Sequence, residues 1–275
     1  MTGFLLGMIF GMVAALMLNI GKGVQKQKVR VFLQGRRMFS PPHRREFAIW
    51  LLGFIITVGA SLPYALGLKL SGSPSTISAM TGVGLIGLVV YAWKVIGETI
   101  RPADAFGIAL VVIGTSFLGF QNAGRVVVER EVASHSMIGV IAFLMLAAIS
   151  GCLLALVVRR IHGLVFGATA GTCVGIALCC GDVALLRSEV GQPIGLLLAG
   201  AIAFSLLATL TTQLGFLRGR AVEVVPAVNS AIVLTPLFLE IVVYHQIPPP
   251  ATLAFIGMIL VAVLLLSRGA AAQAA

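Results

Sequence analysis

Oxygen-bearing side chains gather on one stretch of this chain. Residues 224–240 read Val-Val-Pro-Ala-Val-Asn-Ser-Ala-Ile-Val-Leu-Thr-Pro-Leu-Phe-Leu-Glu. In a helix, at 100° per residue, Pro226, Asn229, Pro236 and Glu240 fall within an arc of about 80°. Each proline removes one intrahelical hydrogen bond and frees the carbonyl four residues back, here those of Val222 and Ile232. An amide, a carboxylate and two freed carbonyls on or beside one face form an oxygen-rich strip. Hard cations such as Mg2+ take oxygen ligands, so Glu240 and Asn229 are the candidate metal ligands. The same strip suits a proton relay or an amine-bearing solute. Asp182 is a second acid inside an apolar run. A charge at a bilayer centre costs about 2.5–3.5 kcal/mol on insertion scales, and less near an interface.

Two hydroxyl stripes accompany the acids. Thr57, Ser61 and Tyr64 stand at i, i+4 and i+7, hence on one helix face. Ser205, Thr209 and Thr212 repeat that spacing, with Gln213 beside them. Hydrocarbon offers such groups no partner, so they are expected to face the bundle interior or a cavity. Two stripes are expected to form opposite walls of one path. Asn19 and Lys22, at i and i+3, add a polar pair in which Lys22 reads as an interface anchor.

Other chemistries lack their residues. His43, His135, His162 and His245 sit at loops or span ends, and no Ser-His-Asp set or metal-ligand spacing appears. Cys152, Cys173, Cys179 and Cys180 all lie in apolar runs, which argues against a disulfide framework or a zinc site. Gly82-Val-Gly84-Leu-Ile-Gly87 fits the dinucleotide fingerprint literally, but no strand precedes it and no acid follows to hold a ribose. There is no ATP-binding motif, no cofactor is expected, and an enzyme is not expected.

The elements that must carry these residues are membrane spans. Of the 275 residues 59% are hydrophobic and only 10% are charged, against about 25% charged in a soluble domain. The mean hydropathy is +1.08. This excludes a soluble enzyme. The apolar blocks are about twenty residues long, enough to cross roughly 30 Å of hydrocarbon as helix, and they do not alternate as barrel strands would. The expected fold is an all-α polytopic membrane protein with nine transmembrane helices: Thr2–Ile20, Phe47–Leu68, Thr76–Trp93, Ala105–Phe120, Met137–Val158, Leu164–Ala184, Ile194–Leu214, Val224–Tyr244 and Ala251–Ser267. That layout leaves no room for a separate soluble domain, and the first run lacks the basic lead-in of a secretory signal.

Charge placement predicts orientation. With the amino terminus outside, fifteen of the nineteen Lys and Arg residues fall on the inner side and four (Lys69, Arg125, Arg130, Arg187) on the outer. The carboxyl terminus is then cytoplasmic, and the setting is the cell (inner) membrane. The net charge of +10 is largely this topology signal, with no nucleic-acid partner implied; the lipid bilayer is the partner.

The chain also matches itself. Shifted by 160, Gly3, Gly7, Gly11 and Gly21 land on Gly163, Gly167, Gly171 and Gly181; shifted by 148, Thr57, Ser61, Tyr64 and Gly67 land on Ser205, Thr209, Thr212 and Gly215; shifted by 150, Gly107 lands on Gly257. The two copies start five helices apart, an odd number, so they insert in opposite senses. The reading is an inverted 4+4 repeat: residues 1–120, a linking helix within 121–160, and residues 161–275. Glycines at every fourth position (Gly163, Gly167, Gly171, Gly175) are small-residue ridges. Helix packing is the favoured use, and a homodimer seam facing lipid is the other.

Residues 96–114, Ile-Gly-Glu-Thr-Ile-Arg-Pro-Ala-Asp-Ala-Phe-Gly-Ile-Ala-Leu-Val-Val-Ile-Gly, resemble the drug/metabolite transporter (EamA-like) superfamily. There a Gly-Glu is followed nine residues on by glycine, and by another after seven, as at Glu98, Gly107 and Gly114. The nine-span layout, Pro63-Tyr64-Ala65, Pro74 and the segment from Asn19 to Lys26 look like the NIPA-type magnesium transporter branch. The superfamily usually has ten spans. The second repeat departs from the motif, its glutamate being replaced near His245-Gln246-Ile247-Pro248. The resemblance implies a secondary transporter of a small solute, with a divalent cation such as Mg2+ as the leading cargo. A proton-coupled exporter of a small metabolite or drug, and a non-transporting subunit of a larger complex, are the alternatives.

Overall fold

The computed structural model describes residues 2–71, 80–122, 162–189, 193–244 and 249–271, together with 139, 142, 145–146 and 149–153 between the second and third of these stretches. The described residues hold helices and connecting turns, with no strand among them. In chain order the helices are α1 (Thr2–Lys28), α2 (Pro41–Gly59), α3 (Ser61–Ser71), α4 (Thr81–Tyr91), α5 (Pro102–Asn122), α6 (His162–Glu189), α7 (Gly195–Arg218), α8 (Ala221–Tyr244) and α9 (Pro250–Ala271). A 3-10 stretch, Val29–Phe39, joins α1 to α2, and a π-turn, Ala92–Ile96, closes α4. Residues 149–153 are helical as well.

Four runs are long and apolar enough to cross a bilayer: Leu5–Phe39, Pro41–Gly67, His162–Cys180 and Gly195–Arg218. Shorter apolar helices fill the rest. The protein is therefore all-helical and polytopic. The spans expected at Thr76–Trp93 and Met137–Val158 lie partly outside the described residues.

Two expected boundaries are corrected. The first span does not stop at Ile20: α1 continues to Lys28, so Lys22 and Lys26 ride on a helix and not in a loop. The glycines just past Ile20 are there for close approach. Gly21 lies against Gly53 and Thr57 of α2, and Gly23 against Tyr91 of α4. The second span is two helices, because the chain turns at Ala60 and Pro63 cannot donate to the carbonyl of Gly59.

The packing falls into two groups joined by a third contact. α1 packs against α2, α3 and α4; α6 packs against α7 and α8; α5 packs against α9. The glycine ridge of α6 serves helix packing, since Gly163 meets Gly219 while Gly167 and Gly171 lie against the carbonyls of Val224 and Val228. Such close approach lets backbones gain contact where lipid supplies no hydrophobic drive. The fingerprint-like glycines pack too: Gly82 against Val112, Gly84 against Ala15 and Gly87 against Leu16. The core joins both groups, with Leu85, Leu88, Val111, Phe216, Val222 and Leu266 fully buried together.

Candidate functional site

At the end of the bundle that carries the 29–39 stretch, charges tie the amino-terminal helices to the carboxyl-terminal ones. Gly97 adopts φ +78, a left-handed turn that glycine takes without strain. It stops the π-turn and carries Glu98 across to the start of α8. The Glu98 carboxylate there accepts the backbone N–H groups of Ala221 at 2.7 Å and Val222 at 3.2 Å. These are donors that a helix start leaves unsatisfied, at the positive end of its dipole. Arg220, just before α8, pairs with Asp104 at 3.1 Å and Glu223 at 3.5 Å, and donates to the Thr99 carbonyl. Asp104 and Glu223 also accept the N–H three residues back, from Arg101 and Arg220, and so cap their own helices. Lys26 donates to the carbonyls of Phe216 and Gly219, where α7 ends.

Deeper in, a polar layer crosses the same seam. Asn229 of α8 donates its amide to the Asn19 oxygen at 3.0 Å, and Asn19 donates to the Ala15 carbonyl at 2.9 Å. Both are buried. Gly84 of α4 lies against them, where a Cβ would collide with the Ala15 carbonyl and the Asn19 amide. Beside this pair runs a chain of amides. Gln213 donates to Gln25, Gln25 donates to Thr57 Oγ1 at 2.8 Å, and Trp50 Nε1 donates to Gln213 Oε1 at 3.0 Å. Lys22 sits between the two sets on α1, 7% exposed.

The hydroxyl stripes are only partly inward. Thr57 and Thr212 turn into the bundle, Thr57 within the amide chain and Thr212 buried against the Ala208 carbonyl at 2.7 Å. Ser61 and Ser205 are exposed and bond the carbonyls of Val58 and Ala201. Tyr64 is 38% exposed, and Thr209 is half-buried with its hydroxyl on the Ser205 carbonyl. The expectation that both stripes face each other along their whole length is corrected. A serine hydroxyl on a helix can meet its need on the carbonyl three or four residues back, so Ser61 and Ser205 need not turn inward. Asn229 and Asn19 are brought together, where the sequence paired them with Glu240 and Lys22. Glu240 lies on α8 and Asp182 on α6, with side chains outside the described ones. Among the described residues no group of three His, Cys, Asp or Glu gathers to hold a metal.

Sequence reasoning passed over Lys22, Gln25, Glu98 and Arg220 as site residues. Their signal was present: Asn19, Lys22, Gln25 and Lys26 recur every three or four positions along what proves to be one helix. A separate cavity of about 250 Å³, lined by Cys152, Phe166, Thr169, Leu207, Thr211 and Arg218 among others, is apolar and lies away from the polar layer.

No family model matches the chain, and no solved structure matches it. Curated relatives do. The probable 4-amino-4-deoxy-L-arabinose-phosphoundecaprenol flippase subunit ArnE of Salmonella paratyphi C is 32% identical over 110 residues, which are 39% of this chain and 93% of the relative. The same subunit of Salmonella choleraesuis matches with the same figures. These relatives are membrane transport subunits and not enzymes, and they do not point to magnesium transport or the NIPA branch. With its helical membrane fold and the Gly97-Glu98 clamp, the chain belongs to the drug/metabolite transporter superfamily, beside the ArnE-type flippase subunits.

Proposed function

We propose that this protein is a flippase-type transporter that moves a small polar solute, or the polar head of an amphipathic one, along the seam between two inverted four-helix halves. The observation that carries this reading is the buried Asn19–Asn229 hydrogen bond, one amide from each half. The helix contacts support the duplication. α1 with α2–α4 and α6 with α7–α8 repeat one scheme, and the last helix of each half, α5 and α9, meet each other. A relative that nearly fills 110 residues accounts for 39% of the chain, so two such units and a linker fit within 275 residues. Nine spans are reached by counting α2 with α3 and adding the helix at 149–153. The basic-residue count then puts the amino terminus outside, and the Glu98–Arg220 end is the closed inner end.

A flippase for lipid-linked sugars, as the relatives are described, is one cargo class for this path; a free metabolite is the other. Magnesium is set aside because the layer holds a buried lysine that repels cations. Glu240 and Asp182 remain the carboxylates for proton coupling, at the outer end of their helices.

Proteoliposomes holding the full chain test this reading with a fluorescent short-chain glycosyl-phosphate lipid, its free sugar-phosphate counterpart, and a magnesium-sensitive dye. Movement of one phosphate cargo is expected, with loss in Asn229→Leu and Glu240→Gln proteins that still insert. Magnesium entry above that of empty vesicles, lost in Glu240→Gln, would restore the cation reading. Absence of any cargo movement would leave the chain a subunit that transports nothing alone.

A further inference from the structure

Lys22 is the charge in this bundle without an answer. It is 7% exposed on α1, and among the described residues it makes neither a hydrogen bond nor an ion pair. The four described acids are engaged elsewhere. Glu46 pairs with Lys28 at 3.3 Å, Asp104 and Glu223 pair with Arg220, and Glu98 holds the start of α8. Lys26, one turn on, has two carbonyls. An ammonium held away from water costs several kcal/mol unless something pairs it. A lysine whose only task was to anchor at the interface would extend its head to water.

The position of Lys22 says what meets it. Three residues before it, Asn19 bonds α8; four residues after it, Lys26 bonds the end of α7. The face of α1 that bears Lys22 is thus turned to the α7–α8 junction, the seam between the halves. Ser230, which follows Asn229 in the sequence of α8, is buried with no hydroxyl partner among the described residues. An ammonium and a hydroxyl, with the second N–H of each amide beside them, are the kinds of donor an oxyanion site uses. Lysine acts as a point charge with three donors, which suits a tetrahedral anion with several equivalent oxygens.

We propose that Lys22 is the counter-charge for a phosphate-type oxyanion on the transported molecule, bound in the Asn19–Asn229 layer. This rests on the transport reading and names the chemistry of its cargo.

The test uses the full chain in phosphatidylcholine nanodiscs and reads its thermal midpoint. Inorganic phosphate is titrated in one arm, and phosphatidic acid is included in the disc in the other. Either source should raise the midpoint of the wild type and of Lys69→Met, which removes an exposed charge. In Lys22→Met the apparent affinity should fall by roughly ten- to hundredfold, the loss expected for one charge-assisted hydrogen bond. Lys22→Arg should keep most of it. A response to inorganic phosphate alone identifies a free anion as cargo; a response only to phosphatidic acid identifies a lipid headgroup. The proposal is overturned if Lys22→Met responds as the wild type does, or if neither source stabilises the wild type. Should Lys22→Met not insert, Lys22→Gln replaces it. A Lys22-dependent response in a protein that moves no cargo upholds the anion site and ends the transport reading. Transport that continues in Lys22→Met, with the wild type stabilised by neither phosphate source, does the reverse.

Discussion

Two charged regions, less than two helical turns apart along α1, are built on opposite terms. At the Glu98–Arg220 end Glu98, Asp104, Glu223, Arg220 and Lys26 each meet a countercharge, a helix end or a carbonyl. In the Asn19–Asn229 layer the amides pair across the seam, but the one charge, Lys22, is left without a partner among the described residues. Burial alone does not separate them, because Asp104 is as buried as Asn19. Pairing does. A buried charge that the protein answers itself is architecture, since removing either partner strands the other. A buried charge left unanswered adds no stability in the empty protein, which is why it marks where a ligand completes the site.

Removing an answered charge should therefore have the largest effect on stability. Arg220→Ala leaves the Asp104 carboxylate buried and unpaired, and the expected loss is about 3–5 kcal/mol. Denaturation of the detergent-solubilised protein reads it directly. An unchanged midpoint would mean that the charged end is not what closes the bundle, and the contrast with Lys22 would break.

Glu98→Gln tests a finer point in the same region. An amide can still accept one N–H of α8, but it loses the charge that strengthens both bonds. A loss of about 1.5–3 kcal/mol is expected, the worth of a hydrogen bond to a charged group. Thermal melts with and without high salt check it, because a partly buried bond of this kind should resist screening.

The smallest effect sharpens the other side. A double-mutant cycle of Asn19→Leu and Asn229→Leu should give a coupling of about 0.6 kcal/mol, and no more than about 1.7, as for other hydrogen bonds between membrane helices. A coupling above that would place the amide pair with the architecture. The expected pattern is a weak contribution to stability with a strong one to transport.

Much of the fold was legible because membranes constrain it tightly. Twenty-residue apolar blocks and the glycine ridges follow from chain composition and local geometry alone. The sequence also pointed to Asn229 and Asn19, since amides in apolar runs need partners. It misled at the end of the first span, set at Ile20 although α1 runs on through Gly21 and Gly23 to Lys28. A glycine that terminates a helix and one that admits a neighbouring backbone are the same residue in sequence, and only Gly53 and Tyr91 on the other side tell them apart. It misled likewise at Lys22, read as an interface anchor beside that end.

The sequence by itself determined the class of molecule and the faces of its helices, because hydropathy and helical period are local properties. Tertiary structure decided which polar group meets which. Asn19 lies 210 residues from Asn229, and Glu98 lies 123 from Ala221. No periodicity within one helix reports a partner on another. Whether a buried charge is answered is a property of the assembled seam, and that property distinguishes Lys26 from Lys22.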